Sequence, residues 1–508
     1  MKHFTLLFVL MSLLFSGCRK TPQATNQTLR INTVTNPTTI DPRQARDVNS
    51  IAVCRMLFEG LTRISKLGVP ELALAERVDV SADGCVYTFH LKQTVWSNGQ
   101  PVTAHDFVRT WKQMLDPAFA TDMAYQLYPI KNGKQVKAGE LSLEQLGVRA
   151  PDAQTLIVEL QQPVPYFLEV CATTPYFAVL EGQNNGPFVL DTWVLNDTLR
   201  VKKNPKYWDA EAVSLDAIEM ITVSQDTELR LFEEKKLDWA GSPLSEIPRD
   251  AMAHFKETGQ LRTSPFSGTY FFRVNTSGGP FAVPEFRKAL ALALDRAAIT
   301  THILQGGQTP AKSLVPPEMG VFGAGYFGNE TAQQLLETAC KKLGVAKEAL
   351  EPVEISFSPS LAYNLPLVQA VQKQWETVLG IKVVLNMIDP KVYSVALKEG
   401  KFQVATRSWI ADFHDPINYL EVFQYKKAST NNTFWEHPRY VELLQKSNTC
   451  RDVVERKQLL HEAEAVLMDE MPVIPVFHYA LNYLQQDNVE GVVLSPLGQI
   501  DFRWAKKR

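Results

Sequence analysis

Cysteine is scarce in this chain, six in 508 residues, and no two are spaced Cys-x-x-Cys. That removes the thiolate zinc frameworks and the dithiol redox motif from consideration. His461-Glu462 lacks the second histidine four residues on that a zinc-hydrolase helix needs, and no Gly-x-Ser-x-Gly is present to expose a serine nucleophile. The nine histidines are scattered, mostly beside aromatic or helical positions, where structural histidines sit. Charge of one sign is not concentrated either: 52 Lys and Arg face 55 Asp and Glu, a net −3 with no like-charged block. Nucleic acid and anionic membrane surfaces are therefore not indicated as partners. Two glycine-rich stretches fail as phosphate cradles. Gly323-Ala-Gly-Tyr-Phe-Gly328 follows Pro316-Pro317 and Gly320 where a strand is required, and Gly307-Gln-Thr-Pro-Ala-Lys-Ser313 lacks a second glycine. No cofactor is expected.

Long apolar runs are also absent, with one exception at the start. Lys2 is followed by an apolar run over Phe4–Phe15, interrupted by Thr5 and Ser12, then Leu14-Phe15-Ser16-Gly17-Cys18. The run is too short to span a bilayer and ends in small residues, as a cleaved export signal (residues 1–17) does. Leu-x-Ser-Gly-Cys resembles a bacterial lipobox, which implies that Cys18 carries lipid; a plain secretory signal with an incidental cysteine is the alternative. The mature protein is then anchored at the cell membrane, on its outer or periplasmic face, and does not pass through it. Residues 18–28 are polar and suit a tether. The remaining Cys54, Cys85, Cys171, Cys340 and Cys450 are read as small apolar residues forming at most two disulfides.

At this length two or three domains are expected. Leu29–Val34 reads as a strand, Ile51–Phe58 as a helix, and Cys85–Leu91 as a half-buried strand with Tyr87, Phe89 and Leu91 on one face. Thr103-Ala-His-Asp106 is a capping box opening a helix that buries Phe107, Trp111 and Leu115. Further on, the spacing predicts one helix from Pro284 to about Leu304, another over Pro366–Leu379, and a strand over Ile381–Met387. A charged helix from Arg451 to Asp469 reads as a solvated face. This α-then-β rhythm predicts an α/β protein with a mixed sheet.

Val404–Pro416 is the stretch that carries chemistry. Val404, Ala405 and Trp409–Ala411 read as a buried strand interrupted by Arg407 and Ser408, breaking into a polar turn with Asp412, Phe413, His414 and Asp415. A carboxylate at such a strand end, beside Trp409 and Phe413, can accept charge-assisted hydrogen bonds from a ligand ammonium, about 1.5–3 kcal/mol each. Asp412, His414 and Asp415 also have the donor types of a metal site, and a solvated turn is the plain alternative.

The chain resembles the bacterial oligopeptide- and dipeptide-binding lipoproteins, the solute receptors of peptide ABC importers. The resemblance runs through Leu74-Ala75-Glu76, Tyr87–Lys92, Val95–Phe107, Pro163–Phe167, Asn185–Phe188 and Asn204–Trp208. It continues through Phe286–Leu290, Leu294-Asp295-Arg296, Trp409-Ile-Ala-Asp412 and Pro472–Phe477, with a loop between Pro175 and Asn185 shorter than the family pattern. It implies a two-lobed periplasmic-binding-protein fold of type II with an extra subdomain and a ligand cleft between lobes. The implied division is lobe I at 29–58, 178–266 and 480–508, the subdomain at 59–177, and lobe II at 267–479, with chain crossings near Gly268 and Tyr479. It further implies a non-enzymatic monomer that hands oligopeptides to permease subunits. Asp412 would pair with the peptide ammonium, and Ser408, Trp409 and Ile410 would lie beside the peptide backbone, with Phe413 and His414 nearby. The family's usual basic residues for the peptide carboxylate fall at Leu304 and about Leu365 here; Arg407 is left either to substitute for them or to pair with Glu421. A cell-wall peptide, glutathione, haem or a metal complex remain open as ligands of the same fold, and an exported peptidase is the weakest reading.

Overall fold

The computed structural model describes residues 27–320 and 329–508, so the export segment, Cys18, most of the tether and the Gly323–Gly328 motif lie outside the described residues. Ten strands form one continuous sheet: β1 (Thr28–Asn32), β2 (Phe188–Val194), β3 (Thr198–Lys203), β4 (Ala217–Ile221), β5 (Trp239–Gly241), β6 (Arg262–Val274), β7 (Val353–Phe357), β8 (Val383–Met387), β9 (Val404–Ile410) and β10 (Val473–Gln485). Their order is β8-β7-β9-β6-β10-β5-β1-β4-β3-β2, with the short Thr309–Pro310 strand added on β10. Four neighbouring pairs are parallel, β7 on β8, β7 on β9, β1 on β4 and β1 on β5, and helices lie in the connections between them.

Two long strands stitch the molecule together. β6 and β10 are antiparallel, and their pairing has two regular parts separated by a break. Arg262–Pro265 pair with Tyr483–Ala480, and Thr269–Arg273 pair with His478–Val473, with register shifts after Pro265 and after Tyr270. On one side of the break β5 joins β10; on the other, β9 joins β6. The apolar side chains divide the same way. One cluster gathers Tyr270 to Phe477, including the fully buried Trp375; the other gathers Leu29 to Leu244 with Val489–Ala505. This is a two-lobed α/β fold. Gly268 lies in the break, and a Cβ there would stand 2.9 Å from the Tyr479 ring, which is why this position suits glycine.

Residues 75–159 carry their own four-stranded sheet, Ala75–Val80, Val86–Leu91, Thr155–Glu159 and Val148–Arg149. Its apolar face, with Phe89, Phe107 and Trp111, nevertheless merges into the core built on Leu29 and Ile31. Several expectations are corrected. The helix from Pro284 stops at Leu292, because Asp295 caps a fresh turn by accepting from the Ala298 N–H, and a π-helical segment finishes it at Leu304. The charged helix is Val453–Glu470, and it is a packed element that buries Leu460, Glu464, Leu467 and Met468. β9 is uninterrupted through Arg407 and Ser408. All five described cysteines are free thiols.

Glu228 secures the lobe next to β5. It is 1 % exposed, and its Oε1 accepts from the Ser245 hydroxyl at 2.7 Å and the Gly241 N–H at 3.2 Å. Burial pushes its carboxyl from 4.5 up to about 7. The folded form therefore holds this proton more tightly than the unfolded chain does. The contribution is full below about pH 4.5 and is lost as pH rises towards 7, at up to about 1.4 kcal/mol per pH unit. Glu228→Gln is expected to flatten that decline; urea midpoints at pH 5, 6, 7 and 8 check it, and an unchanged slope contradicts it.

Candidate functional site

The site is built at the end of β9. Ala411 donates to the Ser267 carbonyl and Asn275 donates to the Gln403 carbonyl, both at 2.9 Å, so odd-numbered residues along β9 bond to β6. Even-numbered residues then turn their N–H and C=O to the opposite side. On that side β7 reaches only Val404 and Ala405. The Thr406 carbonyl is taken by the Tyr393 hydroxyl at 2.6 Å. Beyond it, Ser408 and Ile410 present an open strand edge among the described residues. An unpaired edge is a template for an added strand. The Tyr479 hydroxyl, bonded to that of Tyr363 at 2.9 Å and to the Ser408 side chain, stands beside it.

Asp412 follows directly. Its side chain is open to solvent, yet enough protein surrounds it that burial raises its carboxyl above the ordinary aspartate value, while Asn418 works the other way. The two observations agree for a carboxylate at the floor of an open cleft. It makes no ion pair with any described residue. Asp412 lines a cavity of about 280 Å³ whose other walls are Arg46, Arg55, Tyr125, Gln126, Thr173 and Thr174 on one side and Leu497–Ile500 on another. The Tyr125 hydroxyl is raised by burial and by the Asp412 charge across the gap. The cavity thus lies between the two lobes.

The rest of the predicted turn faces elsewhere. The Asp415 carboxylate is gripped by Arg456 at 2.6 and 2.9 Å and caps the Ile417 N–H at 3.0 Å, which removes it from any metal cluster with Asp412. Phe413 stacks on Tyr166 with ring centroids 4.2 Å apart and planes at 8°, and this pair packs against both apolar cores. The His414 N–H donates to Glu169, whose carboxyl burial pushes up to about 7, and its Nε2 faces the Glu318 carbonyl at 3.2 Å. His414 lines a larger cavity of about 700 Å³ on the other side of the loop. The carboxylates there are already engaged: Asp415 by Arg456, Glu169 by His414, Asp83 by the Ser81 hydroxyl and Glu318 by the Ser267 hydroxyl. The smaller cavity, with a free carboxylate and an open strand edge, is the better candidate.

Arg407 is exposed on β9 and makes no ion pair with a described residue, Glu421 included. Leu304 is a core residue at 3 % exposure, whereas Leu365 is 43 % exposed. Sequence reasoning missed Asn418, which is 2 % exposed, and the facing wall of Tyr125, Thr174 and Arg55. The Asp-x-x-Asn spacing from Asp415 to Asn418, within one helical turn, was the available signal.

Two lobes on a shared sheet with an acid-floored cleft between them define an extracellular solute receptor. The family model described as "Bacterial extracellular solute-binding proteins, family 5 Middle" matches residues 69–431, and the chain belongs to that family. The oligopeptide-binding protein OppA of Bacillus subtilis (strain 168) is 38 % identical over 501 residues, 94 % of this chain and 92 % of the relative. The probable deoxycholate-binding periplasmic protein YgiS of Escherichia coli (strain K12) is 30 % identical, over 93 % and 92 % of the two chains. Among solved structures, the unliganded open form of the murein tripeptide-binding protein MppA superposes with a TM-score of 0.87 at 26 % identity, over 95 % of this chain and 98 % of that one. Haemophilus influenzae OppA in complex with the peptide RPPGFSPFR gives 0.71 at 25 %, over 95 % and 99 %. At 26 and 25 % identity the two are similarly distant in sequence, and the chain fits the open form better, in keeping with lobes that stand apart.

Proposed function

We propose that this protein is the solute-binding component of a peptide ABC importer. It captures oligopeptides by pairing their α-ammonium with Asp412 and their backbone with the open edge of β9. The observation that supports this best is a carboxylate without an ion-pair partner among the described residues, set at the end of a strand edge that no described residue pairs, on the floor of an open cleft. Backbone bonding at Ser408 and Ile410 supplies affinity that does not depend on ligand side chains, and water around those side chains tolerates many sequences. Trp409 shapes the floor through Asn418. Arg407 is the one cation on β9 free to approach a ligand carboxylate. Phe413 and His414 act at one remove, by docking the Asp412 loop on Tyr166 and Glu169.

In this reading lobe I is 29–58, 178–266 and 480–508, the subdomain is 59–177, and lobe II is 267–479. The irregular pairing around Gly268 and Tyr479 is the hinge, and closure buries the ligand. The protein is a monomer without enzymatic activity or cofactor, exported, held to the membrane by lipid on Cys18, and delivers its ligand to a membrane permease.

Native mass spectrometry of the protein purified from its source, followed by denaturation and fragment sequencing, tests the ligand class. Peptides of mixed sequence with free amino ends are expected. A bile acid, haem or another non-peptide in their place overturns the proposal.

A further inference from the structure

We propose that Asn418 is a positioning residue for ligand capture: it holds the Asp412 carboxylate in the cleft, and Trp409 fixes which way its amide points. The inference rests on the reading of Asp412 as the ammonium acceptor. The argument begins with donors. An indole N–H and a backbone N–H can only donate. The Trp409 indole lies 2.8 Å from one end of the Asn418 amide and the Asp412 backbone N–H lies 3.3 Å from the same end, so that end is the oxygen. The NH₂ end is left on the other side of the amide, and Asn418 draws the Asp412 carboxyl down against the effect of burial. One amide therefore fixes the backbone from which the Asp412 carboxylate projects, at the point where β9 enters its turn.

Asn418 is itself held. It is 2 % exposed, and its N–H donates to the Asp415 carbonyl at 3.0 Å, on the residue that Arg456 grips. A solvated turn aspartate needs no such buried support. A carboxylate that must stay ionised while a closing lobe removes its water does need it, because an unsatisfied charge in a dry site is costly. The other charged or titratable groups around Asp412 are Glu421 on the following turn, whose carboxyl is pushed up to about 7 by burial with Asp415 and Asp412 adding to it, and Tyr125 across the cavity. Arg46 and Arg55 line the facing wall.

The test uses Asn418→Leu, which keeps the volume and removes both bonds, and Trp409→Phe, which keeps the ring and removes only the orienting N–H. Each is titrated calorimetrically with tetra-alanine and with N-acetyl-tetra-alanine. The Asp412 side-chain carboxyl is also followed by carbon NMR across pH 3–8 without ligand. In N418L the preference for the free amine is expected to fall at least tenfold and the Asp412 midpoint to move up, with W409F intermediate. A folded N418L with wild-type preference and wild-type Asp412 midpoint overturns the proposal. If N418L does not fold, W409F decides, and an unshifted Asp412 midpoint there overturns it. If the wild type itself does not distinguish the two peptides, the reading of Asp412 falls, and the carboxyl titration still decides what Asn418 does.

Discussion

Asp412→Ala is expected to weaken binding of a free-amine peptide by about 3–5 kcal/mol, which is two to more than three decades in Kd. The size follows from closure. In the open cleft the carboxylate is hydrated, and the ammonium of a free peptide is hydrated too. Once the lobes shut, the two are each other's main compensation, in a place where burial already raises the Asp412 carboxyl. Removing the acid leaves the ammonium buried and unpaired, so the loss exceeds the worth of an exposed salt bridge, about 0–1 kcal/mol. The variant should fold normally, since its side chain is open to solvent in the unloaded protein. Calorimetry gives the affinity and thermal unfolding gives the control; a loss under fivefold contradicts the assignment.

Arg456→Ala is expected to have a comparably large effect, on stability. Its guanidinium donates to both Asp415 oxygens and to the Ser447 carbonyl at 3.2 Å, and both side chains are close to fully buried. Alanine leaves the Asp415 carboxylate in place without its cation, a loss of about 3–5 kcal/mol. Replacing both partners, Asp415→Asn with Arg456→Met, should recover much of it, because the buried charge is gone as well. Urea midpoints of the three variants at constant slope measure this. A single variant within 1 kcal/mol of wild type contradicts it. The Asp412 loop shares the cost: Asn418 is anchored on the Asp415 backbone, so ligand affinity should fall in R456A alongside stability.

Much of this was legible in the chain because local rules and tertiary context agree there. The Thr103–Asp106 box opens a helix at Ala104, Tyr87 and Phe89 are buried as their alternation predicts, and a strand does lead into Asp412, with Val404 and Ala405 buried. What sequence could not give is direction. Asp412, Phe413, His414 and Asp415 are four consecutive polar or aromatic turn residues, and no periodicity says which way each points. Asp415 is consumed by an arginine 41 residues away, Phe413 by Tyr166, and His414 by Glu169. Asn418 is invisible for a related reason, since its role depends on Trp409, nine residues back at the end of a strand. The helix at 453–470 looked solvated because seven of its eighteen residues are Asp, Glu, Lys or Arg, yet Glu464 is fully buried and accepts from the Val315 N–H at 2.7 Å. Paired charges inside a lobe read as surface until the partner is known.

The central claim is that one carboxylate at the lobe boundary grips the amino end of an incoming peptide. Titrating the wild-type protein with a single peptide in free and N-acetylated form tests it most directly. The account predicts that acetylation, which removes the positive charge and leaves the backbone intact, lowers affinity at least a hundredfold. Equal affinity for the two forms would contradict it.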